Sequence, residues 1–355
     1  MTHFTPITAF DDSRRALGQQ ARVEDTRAAA LSFRKQMLAG PKVRYYESFD
    51  LIKLVFPTRY GLRNAYAGEW FNKNLFITNR VFVVQYDTPT GVKTLLVSPS
   101  DHERGGETPF FRRLQDRTPD IVLNQLVARF ATVPDVLARI GLTPEDVDYI
   151  TYDHLHTQDV RRWLGTDDEP AMLPNAKLLV HCREWANAND LNPYQRDWYC
   201  PHGVAGIADN KVVQFDGSVM LGDGVALVHT PGHTEGNHSL VVHTDEGLWV
   251  TSENGISVDA YAPDHSTIWG VAKYARTIGS EVIINGNTLE SAVDQYASMV
   301  QELTIAGPSQ RDPRYPNVFP SSELTPSRLF PGTRPSFRVE HAVHGQLVRN
   351  QPART

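Results

Sequence analysis

Three histidines carry the chemistry that this sequence offers most clearly. His154 and His156 lie two apart in TYDHLHTQDVRRW (151–163), and His233 sits on a Pro-Gly turn in HTPGHTEGNH (229–238). Residues two apart on an extended chain point the same way, so the pair presents convergent imidazoles. Three imidazoles hold zinc and leave one tetrahedral position for water, whose pKa the ion lowers towards neutrality. A lone His-x-His pair is often a strand edge with two surface histidines. The preceding strand and the second histidine stretch favour a metal. Asp159 is the first candidate ligand for a second cation, and Glu253, after the strand-like LWVTS, is the other. Asp153 is suited to orient a ligand histidine or to accept the proton of an attacking water. Asp153 and Asp159 are therefore the candidate catalytic acids. His229 and His238 read as supporting groups around His233, and His181 as structural or near a pocket rim. Tyr66, Trp70, Trp198 and Tyr199, with His265 in a loop, are candidates for a substrate wall; the plain alternative is loop packing.

These residues need elements to position them. GLTPEDVDYI (141–150) reads as a helix end, a turn and a short strand, which puts the histidine pair just past a strand terminus. Residues 13–39 read as a helix ended by Gly40-Pro41, and 42–56 as a strand. NLFITNRVFVVQYDT and VKTLLVSPS predict two strands joined by a Pro-Thr-Gly turn. Residues 119–140 predict a helix, 176–182 a strand, and REWANAND a short helix. KVVQFDG, VALVHTPG, HSLVVHTDEG and LWVTSENG follow as short strands between glycine turns. Helices are expected over 267–280 and 289–306, with EVIINGN a strand between them. Runs of strands with helices between them predict an α+β fold of two packed sheets covered by helices. The chain divides into a helical extension (1–41), a catalytic domain (42–306) and a proline-rich extension (307–355) packing on the domain or on a partner subunit.

With 355 residues, 41% hydrophobic and 21% charged, the chain can bury a large core. Net charge is -6 and no basic stripe exists, which argues against nucleic acid as a partner. The first twenty residues lack an apolar signal core, and no apolar run is long enough to span a membrane. Two cysteines make no disulfide framework, so a cytoplasmic protein is expected.

Over roughly residues 75 to 300 the chain resembles the metallo-β-lactamase superfamily. The resemblance rests on the two strands before the helix, GLTPEDVDYITYDHLHTQD, TPGHTEGNHSL and the strand ending near Glu253. It implies a four-layer αββα sandwich with metal at one sheet edge. That family's first ligand motif reads His-x-His-x-Asp-His. His154 and His156 match its first two histidines, Gln158 stands at the aspartate, and Asp159 stands at the third histidine. His233 matches the next ligand, Glu253 stands where a bridging aspartate is usual, and Asn287 replaces the last histidine. The resemblance thus implies one complete site and an altered second one, with Gln158 and Asn287 as oxygen donors. It implies one or two zinc ions per chain, with iron or manganese as alternatives. The layout is similar to small-molecule lactonase and organophosphate-hydrolase branches, so hydrolysis of an ester, lactone or similar small electrophile is expected. Alternatives are hydrolysis of an electron-poor aromatic ether or halide, a di-iron redox enzyme, and a non-catalytic subunit of a hetero-oligomeric hydrolase. The long termini predict a homo-oligomer, with a hetero-oligomer as the other arrangement.

Overall fold

The computed structural model describes residues 4–116, 126–287 and 290–349. In chain order its strands are β1 (Thr5–Ile7), β2 (Tyr45–Pro57), β3 (Asn74–Thr88), β4 (Gly91–Val97), β5 (Ala128–Arg129), β6 (Tyr149–Thr151) and β7 (Lys177–His181). They continue with β8 (Val212–Phe215), β9 (Ser218–Gly222), β10 (Val225–His229), β11 (His238–Thr244), β12 (Gly247–Thr251), β13 (Ser322–Thr325) and β14 (Val343–Gly345). The longer helices are α1 (Gln19–Ala39), α2 (Pro109–Asp116), α3 (Val133–Ile140), α4 (Cys182–Asn189), α5 (Val271–Ile278) and α6 (Ala292–Ala306).

One sheet runs β1-β9-β10-β11-β12, and the other β14-β2-β3-β4-β6-β7-β8, with β13 added to β3 and β5 to β2. Strand alternation sorts the side chains into layers. Phe82 and Val84 of β3 point between the sheets and meet Leu227, Leu240, Val242 and Trp249. Their neighbours Val81 and Val83 point outwards and pack on Val133, Val136 and Leu137 of α3. On the far side, Ala226, Val228, Val241 and Val250 pack on Phe33 and Met37 of α1 and on Met299 and Ile305 of α6. The result is the expected helix–sheet–sheet–helix sandwich. Strands buried on both faces explain why β3 reads as a continuous apolar run rather than an alternating one.

The structure corrects several sequence-based boundaries. Of the helix expected over 119–140, residues 117–125 lie outside the described part, and Ala128–Arg129 is a strand paired with Ile52 and Lys53. Helix α3 starts only at Val133 because Thr132 and Asp135 cap each other reciprocally, with Pro134 in the first turn. EVIINGN forms no ladder with a strand. Its backbone bonds go to a short helix and a loop instead, Ile283 N to Ala260 O at 2.7 Å and Asn285 N to Asn254 O at 2.9 Å. Strand β9 was not expected; SVMLG is short and lies between two glycines.

The C-terminal segment packs across the domain. Strand β4 pairs with β3 over Phe82–Thr88 and leaves the same edge of β3 open at Phe76–Asn79, which β13 then covers. Beside β13, the fully buried Arg80 meets the equally buried Glu323 at 2.9 Å and Asp50 at 2.7 Å, and lies over the ring of Phe319. Removing one member of a buried ion pair leaves the other uncompensated, at a cost of about 3–5 kcal/mol. Arg80→Ala is therefore expected to lower the denaturant midpoint by a corresponding amount; a loss under about 1 kcal/mol would show that Arg338, 3.3 Å from Glu323, neutralises it alone.

Candidate metal centre

Each candidate ligand loop leaves the end of a strand. β6 ends at Thr151 and delivers Asp153, His154 and His156; β10 ends at His229 and leads to His233; β12 ends at Thr251 and leads to Glu253. The turn before His233 needs Gly232. Its φ is +129°, and a Cβ there would stand 2.0 Å from Gln295 N in α6, so only glycine lets the turn lie against the helix.

His154, His156 and His233 are all buried, and one nitrogen of each lies within 4.8 Å of the others. His154 Nε2 and His233 Nε2 are 3.2 Å apart. Two imidazoles on one tetrahedral zinc would place their nitrogens about 3.3 Å apart. Among the described residues neither ring nitrogen of His156 makes a hydrogen bond of normal geometry, although the Gln195 side chain stands beside it. Buried polar atoms are normally paired. An unpaired imidazole facing two others fits a metal ligand, and the trio therefore fits zinc. Asp153 Oδ1 lies 3.2 Å from His154 Nδ1, which fixes the ring's tautomer and turns the Nε2 lone pair towards the trio.

The acids divide. Glu253 Oε2 is 3.9 Å from His154 Nε2, and Glu253, Asp153 and His154 form a second grouping around that ring. Gln158 and Asn287 line the adjoining cavity, each with a buried side-chain oxygen that has no hydrogen-bond partner among the described residues. Asp159, expected as a ligand and a catalytic acid, is not brought to the trio. Its carboxylate is held by the backbone and guanidinium of Arg161, with Arg104 at 3.7 Å. Two arginines neutralise it where a cation would have to compete with them. A shift of one position along the loop separates Gln158, which faces the cavity, from Asp159, which faces the arginines.

Glu184 is a supporting residue that sequence reasoning missed. Its buried carboxylate accepts from Leu155 N at 2.8 Å, Tyr199 Oη at 2.8 Å and Thr234 Oγ1 at 2.6 Å, tying both histidine loops to α4. In sequence it is an ordinary acid in the first turn of a helix, a position that carries no functional signal.

Of the residues expected to form a substrate wall, Trp198 lines a cavity and the others do not. A cavity of about 570 Å³ opens beside His154 and His156, and Trp198 lines it together with Leu54, Phe56, Ile77 and Phe111. Tyr199 lies behind His156, its ring 4.9 Å from the imidazole and its hydroxyl spent on Glu184. Tyr66 bonds Pro331 O at 2.8 Å, Trp70 is exposed against Phe71, and His265 packs on Tyr315; none of the three lines this cavity. Loop packing uses those aromatic groups elsewhere.

His181, Cys182 and Asp216 also cluster at ligand distance. Here the hydrogen bonding argues against an ion. His181 Nδ1 accepts from Arg183 N at 3.2 Å and caps α4, so the neutral ring carries its proton on Nε2, the atom that faces the cluster. We read His181 as a helix cap, stacked on His229 with centroids 4.1 Å apart.

The buried histidines make stability pH-dependent. Burial works to lower the His154 pKa, but Asp153, Glu253 and Glu184 outweigh it and raise it to about 9. Burial and the neighbouring His154 hold His156 and His233 well below the usual range. Burial also lowers His181 and His238 to about 4. A folded pKa above the unfolded one stabilises at low pH and loses that effect as pH rises through it; depressed values do the reverse. The metal-free protein should therefore lose thermal stability as pH falls below about 6.5, the unfolded histidine value, and lose the His154 contribution as pH rises through about 9. A melting temperature that stayed flat from pH 7.5 to 5.5 would contradict the neutral, buried state of these rings.

Comparison with known proteins agrees with this geometry. No protein-family model matches the chain. An N-acyl homoserine lactonase of Bacillus sp is 30% identical over 114 residues, 32% of this chain and 40% of that protein. One from Bacillus thuringiensis is 28% identical over the same length. The match thus spans about two-fifths of these curated relatives. Among solved structures, AidC, a dizinc quorum-quenching lactonase, superposes with a TM-score of 0.52 at 12% identity over 87% of this chain and 97% of its own. A probable metal-dependent hydrolase from Staphylococcus aureus gives a TM-score of 0.50 at 13% identity, over 72% and 83% of the two chains. The four-layer sandwich, the histidine trio at its strand ends and these likenesses show that the chain has the metallo-β-lactamase superfamily fold, related to that of lactonases.

Proposed function

We propose that the protein is a metal-dependent hydrolase of small organic molecules, acting on a lactone, an ester or a similar electrophile with an apolar body. One observation carries this reading: two members of the buried histidine trio, His154 and His156, line a cavity walled by Leu54, Phe56, Ile77, Phe111 and Trp198. The lactonase relatives act on acyl lactones by their names, which matches the apolar walls. When bound, the metal supplies Lewis acidity and a water that ionises near neutral pH. The protein's own groups do the rest. Asp153 holds the Nδ1 proton of His154, so that Nε2 remains a donor. Burial and Asp153 raise the pKa of Glu253 to about 6, and its Oε2, beside the trio, is the group placed to accept a proton from the attacking water. The apolar walls exclude bulk water and hold the substrate body.

Zinc is the proposed ion because the donors are imidazole nitrogen with carboxylate and amide oxygen. Glu253 with the amides of Gln158 and Asn287 is a weaker set than the trio, so one ion binds tightly and a second weakly. Two free thiols support the cytoplasmic location, and the exposed Leu17, Leu31 and Leu38 near and on α1 support self-association. No described helix is long and apolar enough to cross a membrane.

Stripping the metal should abolish lactone or ester turnover, and zinc should restore it. His233→Ala should cost several kcal/mol of transition-state stabilisation, about 10³-fold or more in kcat/KM. Full activity in metal-free protein would reject the mechanism. For acyl substrates, each added methylene that enters the cavity should contribute about 0.8 kcal/mol, about fourfold in kcat/KM, until the cavity is filled. A flat series would mean that the substrate body does not lie along Leu54, Phe56 and Ile77.

A further inference from the structure

The C-terminal segment reaches the acids of the metal centre. Ser322 Oγ donates to Glu253 Oε1 and accepts from Asn79 Nδ2 at 3.2 Å. The Asn79 amide occupies the acceptor side of this hydroxyl, which directs the hydroxyl proton to Glu253. One residue earlier, Ser321 Oγ donates to Asp153 Oδ2 at 3.4 Å, and the other oxygen of Asp153 faces His154 Nδ1 at 3.2 Å. Ser321 is fully buried and Ser322 nearly so. The segment is held at two points: Arg80 N donates to Ser321 O at 2.9 Å, and two residues past Ser322, Leu324 N donates to Ile256 O at 2.7 Å. The Arg80–Glu323 ion pair lies directly beside the dipeptide. Two hydroxyls from one dipeptide thus reach the two carboxylates that flank one histidine.

We propose that Ser321 and Ser322 are positioning residues of the metal centre, and that the C-terminal extension is thereby a working part of it. The proposal rests on reading the histidine trio as metal ligands. The physical case is one of preorganisation. A glutamate that is free to rotate must lose rotamer freedom each time it is used. Ser322 ties one oxygen of Glu253 and leaves Oε2 aimed at the trio. Ser321 does the same for Asp153, whose hold on His154 Nδ1 sets the direction of Nε2. Hydrogen bonds that orient metal-binding groups in this way are worth about 10–100-fold in metal affinity. They act over a long sequence separation, from residues 321–322 to residues 153 and 253.

The test compares the full-length wild-type protein with Ser321→Ala, Ser322→Ala, Ser322→Thr and Thr325→Ala. Thr325 lies on the same strand and bonds Thr78 at 2.6 Å, away from both acids, so it reports on strand docking alone. Zinc stoichiometry is read by metal analysis, and affinity by competition with a chromophoric chelator. We expect Ser322→Ala to weaken zinc binding by about tenfold or more and Ser321→Ala to act in the same direction. Ser322→Thr should restore binding by keeping the hydroxyl, and Thr325→Ala should lower stability while keeping wild-type affinity. Wild-type affinity in both alanine variants overturns the proposal, and so does a loss in Thr325→Ala equal to that in Ser322→Ala. Should Ser322→Ala not fold, Ser321→Ala decides by the same criterion. A wild-type protein that takes up no zinc at all overturns the metal reading itself, a result distinct from either of these.

Discussion

Three imidazoles buried against one another impose the constraint on which this site depends. Out of water, like-charged rings at 3–5 Å repel strongly, so they cannot all be protonated. In the metal-free protein the conflict is settled by placing a single proton on His154, the ring that Asp153, Glu253 and Glu184 surround. His156 and His233 stay neutral. A cation would displace that proton and meet three imidazole nitrogens, with Asp153 behind His154 and Glu253 beside it. The same arrangement that makes the trio unfavourable for several protons makes it favourable for one metal ion.

Holding those rings in place is the task of the sandwich. Two sheets packed through Phe82, Val84, Leu227 and Leu240 give rigid strand ends, and the ligand loops are short continuations of β6, β10 and β12. Glu184, from a third element, α4, then joins the loops of His154 and His233 by accepting one hydrogen bond from each, and a further one from Tyr199. The loops of His154 and His233 are therefore each fixed at the root by a strand and further along by one buried carboxylate. Rigid elements with locked supporting bonds hold a metal geometry more closely than loops alone can.

The C-terminal segment adds a second brace. β13 fills the edge of β3 that β4 leaves open, and the buried Arg80–Glu323 pair keeps it there. Fold stability and site geometry consequently share one strand. The segment reads in sequence as a proline-rich tail of little periodicity, because its strand is four residues long and finds its partner more than 240 residues away.

The fold class, the histidine trio and the presence of an acid after β12 were all legible in the chain itself, because each is a local pattern. Spacing of two on an extended segment, a glycine turn before His233 and apolar runs of strand length are written into neighbouring residues. Which polar groups face the site was not legible. Asp159 and Gln158 are adjacent, yet one is claimed by Arg161 and Arg104 while the other reaches the cavity, and no local pattern separates them. Tyr66, Trp70 and His265 looked like wall residues by type; contacts with the distant Pro331 and Tyr315 took Tyr66 and His265 elsewhere, and Trp70 stands exposed against Phe71. Glu184, Ser321 and Ser322 carried no signal at all, since a helix-end acid and two tail serines are ordinary until the chain folds. The histidine trio was legible because its convergence follows from short-range geometry. The surroundings of those ligands followed from contacts between residues tens to hundreds of positions apart, which only the packing of the two sheets could decide.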